Sequence, residues 1–490
     1  MNIISPHQLI KPIIGPSSSH TTAPMIIGFS INRLLYRKFL DAEEVIENYG
    51  NRVRIIVEDK SERKIFEGLK TNYGFILGLC GAFFDDLNVL IETRKRVFKL
   101  LKSKRFDFIY KEDAKLIRAK RAAYAMQLSI NDKSLTFYSM GGGIVEVDFS
   151  HHMDLFNKLR SLACSEEFWP FPLWLYIPSI LPRNIHHPLD YSRLDELPAM
   201  LKRLSIRDQY PMFGEYVYEK EQIFLDHLGE ILGVEYDSKD IFLKVLEIMK
   251  KTAETSPEDE YLFDTQFIKN LGKTIVDDDP ITRMLYYASN VMRRVVGGEL
   301  IIGAPTGGAA GIIPATLLGL YDSMKTKSGW SDILHSLYTV GCIGVHLANK
   351  ITISGTISGC QAEIGAALAM AAGGLIDIML KDNCGESLPL KERLDKILMG
   401  VSITLLSIQG LACDPLQGLE EIPCVIRNLS LCVVPYMVAK LIVSGFSLNL
   451  CVKTVIETIK STAKLLPKQL RGSDRGPLTS CWKKFQGCFS

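Results

Sequence analysis

The sequence predicts an α+β protein built from three regions. Residues 1–150 are expected to form a mixed α/β domain, residues 151–270 a helical connecting segment, and residues 271–490 a mostly α-helical domain. Three observations predict this order: strand-like alternation near the start, charged helix-periodic sequence in the middle, and long Ala- and Gly-rich helical runs at the end.

The first region combines strand and helix signals. Residues 53–58 alternate as a strand does, and residues 134–140 predict a second strand that enters a tight turn at three consecutive glycines, 141–143. Between these strands, residues 70–96 are predicted to be helical.

The remaining two regions are predicted to be helical. Residues 194–254 are charged and helix-periodic, and helix follows helix from residue 280 to residue 465. Small residues at 366–375 predict a closely packed helix. The most apolar stretch, 429–452, carries Lys440 near its middle, so buried core helices are expected there rather than a span of a bilayer.

Composition excludes several classes of protein. The 490 residues include 57 Lys and Arg and 55 Asp and Glu, so the chain lacks the excess of positive charge that is typical of nucleic-acid-binding proteins. Eleven irregularly spaced cysteines are too few for a disulfide scaffold. With no signal peptide expected at the N-terminus, we predict a cytoplasmic protein without nucleic-acid or membrane partners.

A run of hydroxyl side chains near the start predicts an anion site. Ser17, Ser18, Ser19, His20 and Thr21 follow Gly-Pro and open into a predicted helix at residues 23–35. Backbone N–H groups and hydroxyls at a helix start suit a carboxylate or phosphate. The alternative is an ordinary capped helix start, because Ser and Thr are preferred caps.

A second candidate is the glycine-rich run of residues 303–314, which contains Thr306 and Gly308. Such a turn lets the backbone come close to a ligand. It lacks the Gly-Lys-Ser/Thr of a phosphate-binding Walker A loop. A tight contact between two helices is the alternative interpretation.

Three cysteines stand among Gly, Pro and polar residues: Cys360, Cys413 and Cys424. Three thiolates can hold three corners of an iron–sulfur cube, leaving one iron open as a Lewis acid. The set contains no Cys-x-x-Cys pair of the kind seen in zinc ribbons or ferredoxins. Each cysteine taken alone could equally be a buried apolar residue.

Taken in order, the motifs resemble those of the iron–sulfur-dependent L-serine dehydratases. The resemblance covers nearly the whole chain, with a β-type domain first and an α-type domain last. It rests on six runs that occur in the same order: Gly-Pro-Ser-Ser-Ser-His near the start, Tyr-Ser-Met-Gly-Gly-Gly from residue 138, Ala-Pro-Thr-Gly-Gly-Ala-Ala-Gly from residue 304, Gly-Cys-Gln-Ala-Glu-Ile-Gly from residue 359, Cys-Asp-Pro from residue 413 and Ile-Pro-Cys-Val-Ile-Arg-Asn from residue 422.

The resemblance implies a cofactor and a site. A [4Fe-4S] cluster would be held by Cys360, Cys413 and Cys424, and its open iron would bind the hydroxyl of the substrate. The loop Ser17, Ser18, Ser19, His20 would bind the carboxylate, with His20 as orienter or base and with Thr21, Thr306 and Gly308 also lining the substrate. A tail cysteine, Cys481, is the candidate fourth ligand, although nine residues follow it. A homodimer is the expected assembly.

The chain also departs from the family pattern. Histidines expected near residues 80–86 and 118–127 are missing, Gly307 stands where Asn is expected, and Ile357 stands where Glu is expected. Residues 406–409 replace a Glu-His-Asn-Leu-like run, and the interval between the first two cysteines is lengthened around residues 381–394. These losses predict a substrate pocket whose lining residues differ from those of the family.

Three functions therefore remain open. The first is a lyase that converts L-serine, or a related β-hydroxy amino acid, to pyruvate and ammonia. The second is the same dehydration of a different β-hydroxy substrate. The third is a non-catalytic iron–sulfur protein that acts as a sensor or as the partner of an intact relative.

Overall fold

The computed structural model describes most of the chain, in these ranges: 5–36, 38–49, 53–58, 66–67, 70–84, 87–103, 106, 108–120, 122–130, 133–148, 175–176, 187–204, 210–232, 235–257, 279–323, 329–384, 388–416, 421–473 and 475–485. It divides into two compact units. The helical unit is Met1–Pro12, His186–His227 and Tyr236–Ser490, and the sheet unit is Ile13–Ile185 and Leu228–Glu235.

The sheet unit is built on six strands in the spatial order β3-β2-β4-β5-β6-β7. Antiparallel pairs join β2 to β4, β4 to β5 and β5 to β6, whereas β3 and β7 run parallel to their neighbours. Gly142 and Gly143 have positive φ in the turn between β5 and β6, a conformation that glycine adopts without strain. The strands are β2 Val53–Val57, β3 Ile109–Glu112, β4 Tyr124–Ile130, β5 Lys133–Gly141, β6 Ile144–Asp148 and β7 Leu175–Tyr176.

The described residues of this unit form five α-helices: Ala23–Leu35, Ala42–Tyr49, Thr71–Leu79, Leu87–Ser103 and Ala114–Lys120. The prediction of a helix at 23–35 is confirmed, as are the strands at 53–58 and 134–140. The prediction that residues 70–96 are helical is confirmed for Thr71–Leu79 and for the residues from Leu87 onward, which belong to two helices with a break between them. The chain leaves the helix after Leu79, and Gly81 has a φ of 92°, which an α-helix cannot contain.

The helical unit is organised around the long helix Cys360–Cys384. Alanines and glycines let its neighbours approach closely, and it contacts Trp330–Lys350, Leu390–Ser407 and Val434–Val443. The unit also pairs β8, Leu300–Gly303, with β1, Lys11–Ile14, whose first two residues belong to it. Its other helices are Leu197–Leu204, Phe213–Leu232, Ser238–Glu254, Pro280–Val296, Ile312–Ser323, Gly355–Ser358, Ile426–Leu431, Val452–Leu465 and Pro477–Phe485.

The predicted α+β class is confirmed by these elements. The three-part division of the chain stays a prediction, and much of the connecting segment, at 151–174, 177–186 and 258–270, lies outside the described residues. Where that segment is described, it contains three helices: Leu197–Leu204, Phe213–Leu232 and Ser238–Glu254.

Two helices in the described part of the chain are long and apolar enough to cross a membrane, Cys360–Cys384 and Ile422–Val443. The buried cores of soluble proteins contain such helices too, and the apolar window of the first is 94% buried. Only 39% of the second is buried. The expectation of buried core helices at 429–452 is met only in part, because Val434–Val443 packs one face and leaves Met437 58% exposed on the other.

Candidate active site

The three cysteines singled out in the sequence come together inside the helical unit. Cys360 begins the helix Cys360–Cys384, Cys413 lies in the loop after Leu390–Ser407, and Cys424 lies in the turn Glu421–Val425. Their exposed fractions are 0, 7 and 4%. The thiols of Cys413 and Cys424 both hydrogen-bond to the sulfur of Cys360, so one buried pocket holds all three.

The electrostatics of this pocket favour a thiolate at Cys360. Hydrogen bonds from the Cys413 and Cys424 thiols, together with the nearby Arg427 guanidinium, lower the pKa of Cys360 well below its usual range. The hydrogen bond to Cys360 and then burial raise the pKa of Cys413. The thiolate is the form in which cysteine binds metal.

Polar neighbours fix the loop that carries Cys413. The side-chain oxygen of Gln361 accepts from the N–H of Gly410 at 2.9 Å, and the backbone N–H of Gln361 donates to the Leu411 carbonyl at 2.9 Å. Arg427 donates to the carbonyl of Ala412 at 2.6 Å. Gln361, next to Cys360, and Arg427, three residues after Cys424, therefore fix the loop that leads to Cys413.

Asn428 joins the glycine-rich run to the third cysteine. Its side-chain N–H group donates to the carbonyls of Gly308 at 2.7 Å and of Cys424 at 2.8 Å. Its oxygen accepts from the N–H of Gly311 at 3.0 Å. Because the amide is fully buried, all three bonds form away from water, where an unmade bond is most unfavourable.

A carboxylate completes the pocket. Glu363 lies one helical turn after Cys360, and its Oε1 accepts a hydrogen bond from the Thr306 hydroxyl at 2.6 Å. Burial, followed by the negative charge of Cys360, raises the pKa of Glu363 to about 7. Thr306 and Gly308, predicted to line the substrate, are thus placed beside the cysteines.

The donor groups of the pocket are three buried thiols and one carboxylate. No group of three or more His, Cys, Asp or Glu side chains that could hold a metal ion is found among the described residues. An iron–sulfur cube makes a different demand, since each thiolate binds a separate iron. Three buried thiols, one of them with a lowered pKa, fit the donor chemistry of such a cluster.

The C-terminal tail packs against the second cysteine. The N–H of Cys413 donates to the Leu470 carbonyl at 2.8 Å, and the N–H of Gly472 donates to the Cys413 carbonyl at 2.8 Å. Asp414 then accepts from the N–H of Leu478 at 2.9 Å, in the final helix Pro477–Phe485. Cys481 lies on that helix and is exposed, so its role as a fourth ligand stays a prediction.

The hydroxyl run belongs to the sheet unit. Ser17 caps the turn Ser18–Thr22, its hydroxyl accepting from the N–H of His20 at 3.3 Å. The Thr21 hydroxyl accepts from the N–H of Ser17 at 3.2 Å. The Ser18 hydroxyl, in contrast, makes no hydrogen bond within the described residues.

His20 is the buried base of this turn. Its Nδ1 lies 2.9 Å from the Ser19 hydroxyl, and its ring packs against Phe66 and Tyr124 with centroid distances of 5.0 and 5.2 Å. Tyr124 also donates to the Ser19 carbonyl at 2.7 Å, which fixes the turn. Burial lowers the pKa of His20 to about 4, so the ring is neutral at pH 7.

Comparison with known proteins assigns the family. The sequence model of the serine dehydratase alpha chain matches residues 215–479, more than half of the chain. The chain belongs to the serine dehydratase family. The resemblance seen in the motifs is confirmed, and the enzyme class of a dehydratase follows from family membership.

Individual relatives of this serine dehydratase family member are distant. The chain is 30% identical to the probable L-serine dehydratase alpha chain of Bacillus subtilis over 39% of its own length and 59% of that protein. It is 24% identical to the L-serine dehydratase of Helicobacter pylori, and 26% identical to that of Streptomyces coelicolor, over 97% of its length and 98% of theirs. It is thus a divergent member.

Sequence reasoning gave no role to four polar residues that build the cysteine pocket: Gln361, Glu363, Arg427 and Asn428. All four stand inside the quoted motifs, within four residues of Cys360 or Cys424. A polar residue one turn from a proposed ligand was the available signal, because it shares a helix face with that ligand.

Proposed function

We propose that the protein is an L-serine dehydratase that converts L-serine to pyruvate and ammonia with a [4Fe-4S] cluster held by Cys360, Cys413 and Cys424. The observation that carries the proposal is the meeting of three buried thiols beside the carboxylate of Glu363. Family membership and the activity named for the relatives support the reaction.

The cysteine pocket would supply the leaving-group chemistry. When bound, the cluster offers a Lewis-acidic iron that stabilises a departing hydroxide. The chain itself holds the three thiols in place: Gln361 and Arg427 fix the loop of Cys413, and Asn428 fixes Cys424 against the glycine-rich run. Burial keeps water away from the ligands.

The turn of hydroxyls would bind the substrate carboxylate. Ser18 has a hydroxyl without a partner in the described structure, whereas Ser17 and Thr21 stabilise the turn itself. Ser19 orients the ring of His20. A neutral His20 can accept a proton, which is the role that we propose for it in the removal of the α-proton.

A changed substrate is the second candidate function, because the lining of the pocket differs from the family pattern. Gly307 cannot offer the amide of the expected Asn, and Ile357, in place of the expected Glu, is 44% exposed. Each missing positioning or acid–base group typically lowers turnover about 10²-fold. A different β-hydroxy amino acid would explain these losses.

The test is the anaerobic formation of pyruvate and ammonia from L-serine by the reconstituted protein. We expect both products in equal amounts, with kcat/KM at least about tenfold below that of an intact family member. Cys360→Ser should abolish both, whereas Cys432→Ser should not, since Cys432 is equally buried but only hydrogen-bonds the carbonyl of Leu429.

Three outcomes separate the candidate functions. Turnover of L-serine supports the proposal. Turnover of L-threonine or another β-hydroxy amino acid, without turnover of serine, supports the changed substrate. A complete cluster without any turnover indicates a sensor or partner protein.

The cytoplasmic location and the homodimer belong to the same proposal. Sedimentation of the reconstituted protein tests the assembly, with twice the 54.9 kDa chain mass as the expected result.

A further inference from the structure

The carboxylate of Glu363 has one oxygen that accepts a hydrogen bond and a second that accepts none among the described residues. Its Oε1 accepts from Thr306 at 2.6 Å, and a Cβ added at Gly308 would lie 3.0 Å from the same oxygen. Its Oε2 faces Gly355, where an added Cβ would lie 2.7 Å away. Two glycines therefore lie against the carboxylate, at positions where a side chain would collide with its oxygens.

Glu363 has no ion-pair partner among the described residues, because no Lys, Arg or His nitrogen lies within ion-pair distance of its carboxylate there. Arg427, the cation of this pocket, hydrogen-bonds the sulfur of Cys360 and donates to the carbonyl of Ala412. A buried carboxylate without an ion partner is stabilised when a cation binds to it.

A cation on the substrate meets this requirement. The substrate of the proposed function carries an α-ammonium group, whose three N–H donors suit a carboxylate oxygen. A β-hydroxy acid with a hydroxyl in place of the ammonium would leave the carboxylate unpaired. The pocket should therefore bind an amino acid more tightly than the corresponding hydroxy acid.

We propose that Glu363 binds the α-ammonium group of the substrate and thereby restricts the site to amino acids. The inference rests on the proposed function for the location of the substrate. Thr306 acts as a positioning residue, since its hydroxyl orients the carboxylate and leaves Oε2 for the ligand.

The test compares two unreactive probes, L-alanine and L-lactate. They share a carboxylate and a methyl group and differ only in the ammonium or hydroxyl on the α-carbon, and neither carries a β-hydroxyl that could leave. Calorimetric titration of the anaerobically reconstituted wild-type protein should show L-alanine binding about tenfold or more tightly than L-lactate.

The variant Glu363→Gln should lose this preference by a similar factor, through weaker binding of L-alanine, while binding of L-lactate stays unchanged. Glu457→Gln is the matched control, because Glu457 is an exposed carboxylate that pairs with Lys460, and it should keep the preference. The iron content and the visible spectrum of each variant show that the pocket is intact.

Two results would overturn the inference. One is a wild-type protein that does not prefer L-alanine, a measurement that needs no variant. The other is a Glu363→Gln protein that binds both probes with equal loss or without loss. Pyruvate formation from L-serine, assayed on the same wild-type sample, reports separately on the proposed function, so the two failures are distinguishable.

Discussion

At the scale of single residues, the pocket depends on side chains next to the cysteines rather than on the cysteines alone. Gln361 and Arg427 bond to the backbone before Cys413, so the second cysteine is positioned by neighbours of the first and the third. Asn428 ties Cys424 to the glycine-rich run. These bonds explain why the motifs extend beyond the cysteines themselves.

Ser18 provides the sharpest test of the hydroxyl turn. Because its hydroxyl makes no bond within the described structure, Ser18→Ala should leave the unfolding midpoint unchanged. Loss of a charge-assisted hydrogen bond to the carboxylate should raise KM or lower kcat about tenfold or more. Steady-state kinetics with the true substrate, alongside thermal unfolding, measures both effects.

Ser17→Ala is the matched comparison. The Ser17 hydroxyl caps the turn, so its loss should lower stability by about 1 kcal/mol. Unchanged kinetics in Ser18→Ala would remove this turn from the substrate site.

At the scale of elements, the hydroxyl turn is positioned by a glycine-mediated helix pair. The helices Ala23–Leu35 and Thr71–Leu79 approach so closely that a Cβ at Gly74 would lie 2.0 Å from the Thr21 carbonyl oxygen. A Cβ at Gly78 would lie 1.9 Å from the Met25 carbonyl oxygen. The absence of side chains at these two glycines thus sets where the turn Ser18–Thr22 lies.

Gly74→Ala should therefore disturb both stability and binding. The backbone of Thr21 must move to admit the methyl group, and overpacking of this kind destabilises by about 1–3 kcal/mol. We expect a lower unfolding midpoint in denaturant and a raised KM. Gly329→Ala is the control, because nothing lies within 4 Å of the added Cβ, and it should be nearly neutral.

A Gly74→Ala protein with wild-type stability would show that the two helices can separate without loss. The helix pair would then not position the turn.

The elements differ in how far the sequence predicts them. Helix Ala23–Leu35 is marked by Pro24 and by the hydroxyl turn before it, which are local signals. The break after Leu79 was missed because apolar residues continue through Phe83 and Phe84, so periodicity alone does not mark it. Gly81 has a positive φ and ends the helix, with its N–H donating to the Gly78 carbonyl at 2.8 Å and the Ala82 N–H donating to the Leu77 carbonyl at 3.2 Å. This glycine was the local signal available for the break.

The candidate site, like the helices and strands, is predictable from the sequence only in part. The cysteines and the hydroxyls carry recognisable chemistry in the sequence. The ammonium site proposed at Glu363 depends on a hydrogen bond to Thr306, 57 residues away, and on two glycines from different loops. Contacts over such separations appear only once the chain is folded.

At the scale of the whole molecule, two buried histidines tie stability to pH. Burial lowers the pKa of His7 in the helical unit and of His20 in the sheet unit to about 4, from an ordinary value of 6.5. Between these pH values the unfolded chain binds protons that the folded protein excludes. Stability should therefore fall as the pH drops from 7 to 5, by about 2 kcal/mol for each histidine.

Denaturant unfolding at pH 7 and pH 5 measures this effect, and comparison with His7→Gln and His20→Gln isolates each histidine. The comparison is needed because the raised pKa of Glu363 changes stability in the opposite direction over a similar range. Each variant should lose its own share of the pH dependence. Variants that keep the full wild-type dependence would show that these histidines titrate normally.

The central claim is that Cys360, Cys413 and Cys424 hold one iron–sulfur cluster. The most direct measurement is the iron and sulfide content of anaerobically reconstituted protein, with its visible absorption. We expect about four irons and four sulfides for each chain. The content should fall sharply, with loss of the absorption, when any of the three cysteines is changed to Ser, and should persist in Cys432→Ser and Cys451→Ser. Equal iron in all five variants would contradict the assignment.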